Sequence, residues 1–267
     1  GNDLSRFLGY GANYSPRILS VTSLEKLARA KDKISFDIWE LTVDWNDLQS
    51  EDKEWVPHAL LETGENQRKG YFLNYFSFGT DADIVFQFHA ERQRRPKTFR
   101  NPIRNKIEYL KKSMGPMLCC CCSSTASRSI SGKVQLSVRY NADDEEFQSV
   151  ELPANLKSLI FLNIRSFAGG FDVVGPKGEP QANDGAFEVV ATTCLCLDIH
   201  RVVLCGKVCP CGGHLQRVAQ CSESLLEIDD SCETFAQVDG EPFPHRTGGR
   251  VHIRKAAEQA WFLSRKQ

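Results

Sequence analysis

The sequence predicts an α+β, mostly β fold built on sandwich-like sheets with helical insertions, and three observations carry that prediction. Residues 134–140 alternate strictly, with Val134, Leu136, Val138 and Tyr140 in one phase, which is the period of a strand burying one face. Short apolar runs recur at residues 159–164, 187–191, 218–221, 225–228, 235–238 and 251–253 with turn residues between them, the pattern of short strands packed sheet on sheet. Helix-start signals come singly. Asn2 or Asp3 can cap a short helix through Phe7 and Leu8 that Gly9 closes, and Thr22 with Glu25 makes a capping box before Leu24, Leu27 and Ala28. Thr80 or Asp81 can cap a helix through Val85, Phe86, Phe88 and His89.

Composition narrows the class. With 267 residues, the chain can bury the core of one large or two ordinary domains, and 41% hydrophobic with 25% charged residues is the balance of a soluble globular protein. A net charge of -1 makes no global case for nucleic acid, so an electrostatic partner must be met by a local patch. No stretch approaches the ~18 apolar residues of a membrane span. The eleven cysteines are odd in number and include four in a row, Cys119, Cys120, Cys121 and Cys122. That is a poor disulfide framework and points to a reducing, cytoplasmic compartment.

In chain order, Gly1-Asn2-Asp3-Leu4 opens without an initiator Met and reads as the inside of a domain. Residues 9–14 form a glycine-bearing loop. Residues 33–45 read as a strand whose phase slips at Ile38 and Trp39, with Ile34, Phe36 and Ile38 before the slip and Trp39, Leu41, Val43 and Trp45 after it. Such a slip predicts a bulge, or a strand changing its buried face between two bodies, and a domain boundary is expected here, dividing residues 1–45 from 46–267. Residues 44–69 are polar and read as a solvated excursion. Residues 71–78, apolar on both faces apart from Asn74 and Ser77, read as one buried strand ending at Gly79. His89 reads as a packed or exposed helix residue rather than a ligand.

Between residues 91 and 112, Arg92, Arg94, Arg95, Lys97, Arg100, Arg104, Lys106, Lys111 and Lys112 face only Glu91 and Glu108. This patch is either a solvated helical face or a surface for anionic lipid headgroups. The near absence of interleaved aromatics argues against single-stranded nucleic acid. Residues 119–131 read as a Cys/Ser-rich insertion, with reversible acylation as the alternative use of its cysteines. Neither these thiols nor Cys205, Cys209 and Cys211 have the paired spacing of a zinc site.

Residues 238–244, Val-Asp-Gly-Glu-Pro-Phe-Pro, place Asp239 and Glu241 about Gly240. Asp-Gly between apolar residues is a strong hairpin signal, and the same turn can hold a carboxylate rigidly for chemistry.

Several segments together resemble eukaryotic diacylglycerol kinases, in that family's order along the chain. They are Asn74-Tyr-Phe-Ser-Phe-Gly-Thr-Asp81, His89 followed by Arg-Pro-Lys-Thr-Phe, Asn105-Lys106, Leu162-Asn163-Ile164 with Gly169-Gly170, Asp184-Gly185 with Phe187-Glu188-Val189-Val190, Ala219-Gln220, and Val238-Asp-Gly-Glu-Pro242. From about Lys69 onward the chain is similar to the kinase accessory half, while Gly1-Asn-Asp-Leu-Ser-Arg6 is similar to a segment of the catalytic half. The resemblance implies a remnant of an α/β nucleotide-binding domain in residues 1–45, followed by a β-sandwich accessory domain in residues 46–267. It implies transfer of a phosphoryl group from ATP, with Mg2+, to the free hydroxyl of diacylglycerol, giving phosphatidic acid at a membrane surface. Glu241 then stands at the family's general base, and Asp239 at its neighbour, shaping the turn. Asn2 and Asp3 match residues on the nucleotide side of the cleft. Asp184, with the carbonyls of Gln181 and Ala186, is similar to a magnesium site, although Asn183 stands where a second acid is common. Arg92, Arg94, Arg95, Lys111 and Lys112 become the expected lipid contacts of a peripheral membrane protein.

The family's Gly-Gly-Asp-Gly phosphate loop lies upstream of the Gly-Asn-Asp segment and is not in this chain. The chain is therefore expected to be the C-terminal part of such a kinase and to be inactive alone. A ceramide or sphingoid-base kinase of the same superfamily and a non-catalytic lipid-surface module are the alternatives.

Overall fold

The computed structural model describes residues 2–8, 33–96, 129–167, 171–172, 181–193 and 215–263. The order is α1 (Asn2–Phe7), β1 (Lys33–Trp45), α2 (Ser50–Lys53), β2 (Leu61–Gly64), β3 (Gln67–Phe72), β4 (Tyr75–Gly79), α3 (Thr80–Arg94), β5 (Val134–Arg139), β6 (Gln148–Val150), β7 (Ser158–Leu162), β8 (Ser166–Phe167), β9 (Phe171–Asp172), β10 (Phe187–Thr192), β11 (Leu215–Cys221), β12 (Glu223–Ile228), β13 (Thr234–Val238), β14 (Glu241–His245) and β15 (Gly249–Leu263). The loop at residues 9–14, the helix expected near Thr22, Lys111, Lys112 and the four-cysteine run lie outside the described residues.

Two antiparallel sheets stack face to face, one ordered β2-β3-β1-β15-β12-β5-β6 and the other β11-β10-β7-β4-β13-β14. Alternation decides which side chains meet between them. Trp39, Leu41 and Val43 of β1, Leu136 and Val138 of β5, and Val251 and Ile253 of β15 face Phe76, Phe78, Phe161, Phe187 and Phe243 of the second sheet in one core. The mostly β sandwich expected from the short runs is the observed architecture, and each of those short runs falls wholly or largely in one strand, the run at residues 159–164 leaving β7 after Leu162.

The phase slip in β1 is a bulge. Register with β15 shifts between Asp37 and Trp39, so the side chains before it turn away from the sandwich. Phe36 enters a second cluster with Leu8, Ile164 and Ala182, packed by Leu4, Phe7, Ile34 and Phe262. β1 therefore serves both clusters: its first half packs α1, and its second half is hydrogen bonded between β3 and β15 in the sandwich sheet.

Three local expectations are corrected. Residues 71–78 are not one strand: β3 ends in one sheet at Phe72 and β4 begins in the other at Tyr75, with Leu73 and Asn74 as the crossover. Residues 44–69 are not a bare excursion, because α2 and the β2–β3 hairpin occupy them; β2 is an edge strand, so its polar and exposed residues need not alternate. The N-cap of α3 is Gly79 rather than Thr80 or Asp81. Gly79 has φ +120, and a Cβ there would stand 2.3 Å from the Lys157 carbonyl oxygen, so only glycine lets β4 turn directly into the helix.

Helix α3 lies against β4, β13 and β14. Phe86 joins it to β13 through Phe235 at 4.5 Å between ring centroids, and Trp55 covers Phe86 at 4.7 Å. Asp81, fully buried in the first turn, accepts hydrogen bonds from Ser77 and Gln237, and burial pushes its carboxyl pKa up against those bonds.

His245, at the end of β14, is fully buried, stacked on Trp45 at 5.5 Å and edge-on to Phe78 at 5.4 Å. Its ring nitrogens lack a well-formed hydrogen bond, and burial pushes its pKa down to about 4, only partly offset by the nearby Thr247 backbone. Above pH ~6.5 the ring is neutral in both folded and unfolded chains and contributes no pH dependence. Between ~6.5 and about 4 the unfolded chain takes up a proton that the folded chain refuses, so stability falls as pH falls, by about 3 kcal/mol in total. In urea denaturation at pH 7 and pH 5, the parent is expected to lose roughly 2 kcal/mol more than His245→Leu over that interval. Parallel losses in the two proteins would contradict this.

Candidate active site

β13 and β14 form a hairpin in which Val238 pairs with Glu241, leaving Asp239 and Gly240 as the loop. Both have positive φ, 48° and 91°, the signature of a type I′ turn matching strand twist. β14 is the edge of its sheet, which is why Pro242 and Pro244, lacking donors, fit within it.

The side chain of Asp239 does not face open solvent chemistry. Its Oδ2 accepts the Leu73 N–H at 3.0 Å, and its Oδ1 accepts the N–H groups of Asn74 at 2.9 Å and Tyr75 at 3.0 Å. The Asp239 N–H in turn donates to the Tyr75 carbonyl at 2.9 Å. These three amides are the crossover between the two sheets. A carboxylate accepting several backbone N–H groups is a strong, charge-assisted anchor, so the turn is clamped to the sheet junction. Glu241, two residues on, is exposed. The hairpin reading and the reading of a rigidly held carboxylate are thus the same geometry.

Residues far apart in sequence converge around this tip. Tyr75 brings its hydroxyl to 3.6 Å from where a Gly240 Cβ would stand, and its ring packs on Phe167 of β8 at 4.8 Å. α1 packs against β8, which brings the nearly buried Asp3 to this end of the sandwich; the side chain of Asn2 lies outside the described residues. Asn163, fully buried, donates through Nδ2 to the carbonyls of Asp37 at 2.9 Å and Leu73 at 2.8 Å, and its N–H donates to Asn74. It thereby ties the β1 bulge to the crossover. Sequence reasoning missed Asp37, Tyr75 and the role of Asn163, although a lone Asn in the apolar run at residues 159–164 was a visible sign of a buried polar tie.

The loop at residues 181–186 is held to the bulge. Ala182 accepts the Asp37 N–H at 2.6 Å, and the fully buried Asp37 carboxylate accepts the Gly185 N–H at 2.7 Å, Gln259 at 2.8 Å and the Lys255 ammonium at 2.8 Å. Asp184 Oδ1 accepts the Ala186 N–H at 3.0 Å, and the Gln181 carbonyl accepts the Asp184 N–H at 3.4 Å. Asn183 turns its amide to Ser35. A magnesium ion needs near-octahedral oxygen ligation. Asp184 is the single carboxylate of the expected set; its Oδ1 is taken by Ala186, and the Lys255 ammonium of this neighbourhood pairs with Asp37. No cluster of His, Cys, Asp and Glu suited to a metal occurs among the described residues.

Of the expected lipid contacts, Arg92, Arg94 and Arg95 are exposed at the end of α3, and Arg95 pairs with Glu91 at 3.3 Å. His89, half-buried on α3, lies within electrostatic reach of both Glu241 and Arg92, a neighbourhood that its sequence context did not show.

The family described as the diacylglycerol kinase accessory domain matches residues 71–242. The chain belongs to that family. Among individual relatives, diacylglycerol kinase iota of Mus musculus is 31% identical over 251 residues, covering 91% of this chain and 21% of the relative. Diacylglycerol kinase theta of Mus musculus is 29% identical over 272 residues, covering 97% and 26%, and diacylglycerol kinase 1 of Oryza sativa is 31% identical over 200 residues, covering 69% and 38%. The chain thus spans well under half the length of these curated relatives. A crystal structure of a candidate diacylglycerol kinase from Bacillus anthracis aligns over 98% of this chain and 66% of its own, with TM-score 0.47 and 13% identity, too distant to bear on function.

Asp239→Asn keeps a residue tolerant of positive φ while turning an amide NH2 toward one of the donating backbone groups. It is expected to cost about 1–3 kcal/mol in denaturant unfolding, and Asp239→Ala more. Unchanged stability in both would contradict the clamp.

Proposed function

We propose that this chain supplies the acceptor side of an ATP-dependent lipid kinase that phosphorylates the free hydroxyl of diacylglycerol to give phosphatidic acid, a lipid second-messenger reaction. The observation that carries the proposal is Glu241, exposed immediately after a turn whose Asp239 is clamped to the sheet junction, in a chain of the diacylglycerol kinase family. Glu241 takes the proton of the acceptor hydroxyl as its oxygen bonds to the γ-phosphorus, and the bond to the leaving ADP breaks with its electron pair. Positioning dominates such reactions, and a rigid turn supplies it. Asp239 holds the turn and takes no proton. MgATP enters as substrate, with Asn2 and Asp3 on the nucleotide side, and no step is assigned to the loop at residues 181–186. Residues 1–45 are proposed as the end of the nucleotide-binding domain, with β1 crossing into the accessory sandwich of residues 46–267. Arg92, Arg94 and Arg95, with Lys111 and Lys112, are proposed to meet anionic headgroups, which places the enzyme at a cytoplasmic membrane face as a peripheral protein. No helix among the described residues is long and apolar enough to cross a membrane.

Gln is nearly isosteric with Glu but accepts no proton. In the intact protein, Glu241→Gln is expected to fold with parent stability and to lose roughly 100- to 10,000-fold in transfer of phosphate from ATP to diacylglycerol. A near-parent rate would remove Glu241 from the chemistry.

A further inference from the structure

Tyr75, the first residue of β4, meets the hairpin tip through both its backbone and its side chain. Its N–H donates to Asp239 Oδ1 at 3.0 Å, and its carbonyl accepts the Asp239 N–H at 2.9 Å. These two bonds hold the strand and the turn at one spacing. From that fixed backbone the phenol ring lies in a cluster with the buried Ile160, Leu162 and Val190, and meets Phe167 edge-on at 4.8 Å. A ring so enclosed has little room to change rotamer. Its hydroxyl then stands at the open side of Gly240, 3.6 Å from where a Cβ would be. Gly240 is the least restrained residue of the tip. Asp239 is clamped and Glu241 pairs with Val238, whereas a glycine at φ 91° has no side chain to brace it.

We propose that Tyr75 is a positioning residue for Glu241: its hydroxyl stands against the side of Gly240 where other residues carry a side chain, and so limits rocking of the turn about that glycine. This rests on the reading of Glu241 as the base. Rocking at Gly240 carries Glu241 with it, because Glu241 is the next residue along the chain, and a displacement of about 1 Å at a reacting group costs up to ~100-fold in rate. The phenol acts through the turn and not on the carboxylate, so the basicity of Glu241 does not depend on it. The other side of the ring rests on Phe167 of β8, the strand that packs against α1. One side chain therefore spans from the acceptor tip to the strand that packs the α1 segment bearing Asp3.

The test measures transfer of phosphate from ATP to diacylglycerol by the intact protein. Tyr75→Phe removes only the hydroxyl, leaving the ring and both backbone bonds to Asp239. It is expected to lower kcat about tenfold, with KM for lipid and the acid-limb midpoint of the kcat profile unchanged. In the Glu241→Gln background the same change is expected to cost nothing further, since residues that act as a unit are not additive. Parent kcat in Tyr75→Phe, with turnover lost in Glu241→Gln, overturns the positioning role and leaves the base in place. A loss of equal size in both backgrounds is what a merely structural role gives, and it overturns the proposal. A shifted acid limb overturns it as well, because the hydroxyl would then act on the carboxylate itself. Parent turnover in Glu241→Gln overturns the base, and the positioning role with it.

Discussion

The three hydrogen bonds from Leu73, Asn74 and Tyr75 to the Asp239 carboxylate are the constraint on which the arrangement depends. A chain that leaves one sheet of a sandwich for the other must expose its amides at the crossing, and buried donors without partners are costly. Asp239 satisfies all three from a turn in a different part of the chain. The same bonds hold the tip of the hairpin, where Asp239 has positive φ. Sheet connectivity and the position of Glu241 are therefore one problem with one solution.

The β1 bulge extends the constraint to the second hydrophobic cluster. Shifting register at Asp37 lets one strand serve the sandwich core through Trp39 and the α1 cluster through Phe36, and frees the Asp37 carboxylate to collect Gly185, Gln259 and Lys255. Asn163 then joins the bulge to the crossover. Removing a single partner from such a network leaves others buried and unpaired, which is why its members act as a unit. Segments expected on sequence grounds to serve nucleotide and acceptor, α1 and the hairpin, reach the same end through Phe167 and Tyr75.

Local chemistry made much of this legible. The Asp-Gly hairpin, the bulge at Ile38 and Trp39, and the alternating strands are written in neighbouring residues, whose periods and turn preferences act over a few positions. The crossover at Leu73 and Asn74 was not legible, because an apolar run looks alike whether it stays in one sheet or changes sheets. What separates the cases is a carboxylate 164 to 166 residues away. The β2–β3 hairpin was hidden for another reason: an edge strand buries too little to show alternation. His89 read as an ordinary helix residue, and it lies half-buried on α3. The magnesium expectation placed on Asp184 depended on likeness to relatives rather than on a local pattern, since two of its three expected ligands are backbone carbonyls that any residue carries.

Backbone hydrogen exchange at Leu73, Asn74 and Tyr75 tests the central claim most directly. If the Asp239 clamp joins the sheets, these three amides should exchange at least ~1,000-fold more slowly than exposed loop amides, and all three at a common rate set by one opening event. Exchange at loop rates, or at three unrelated rates, would contradict the account.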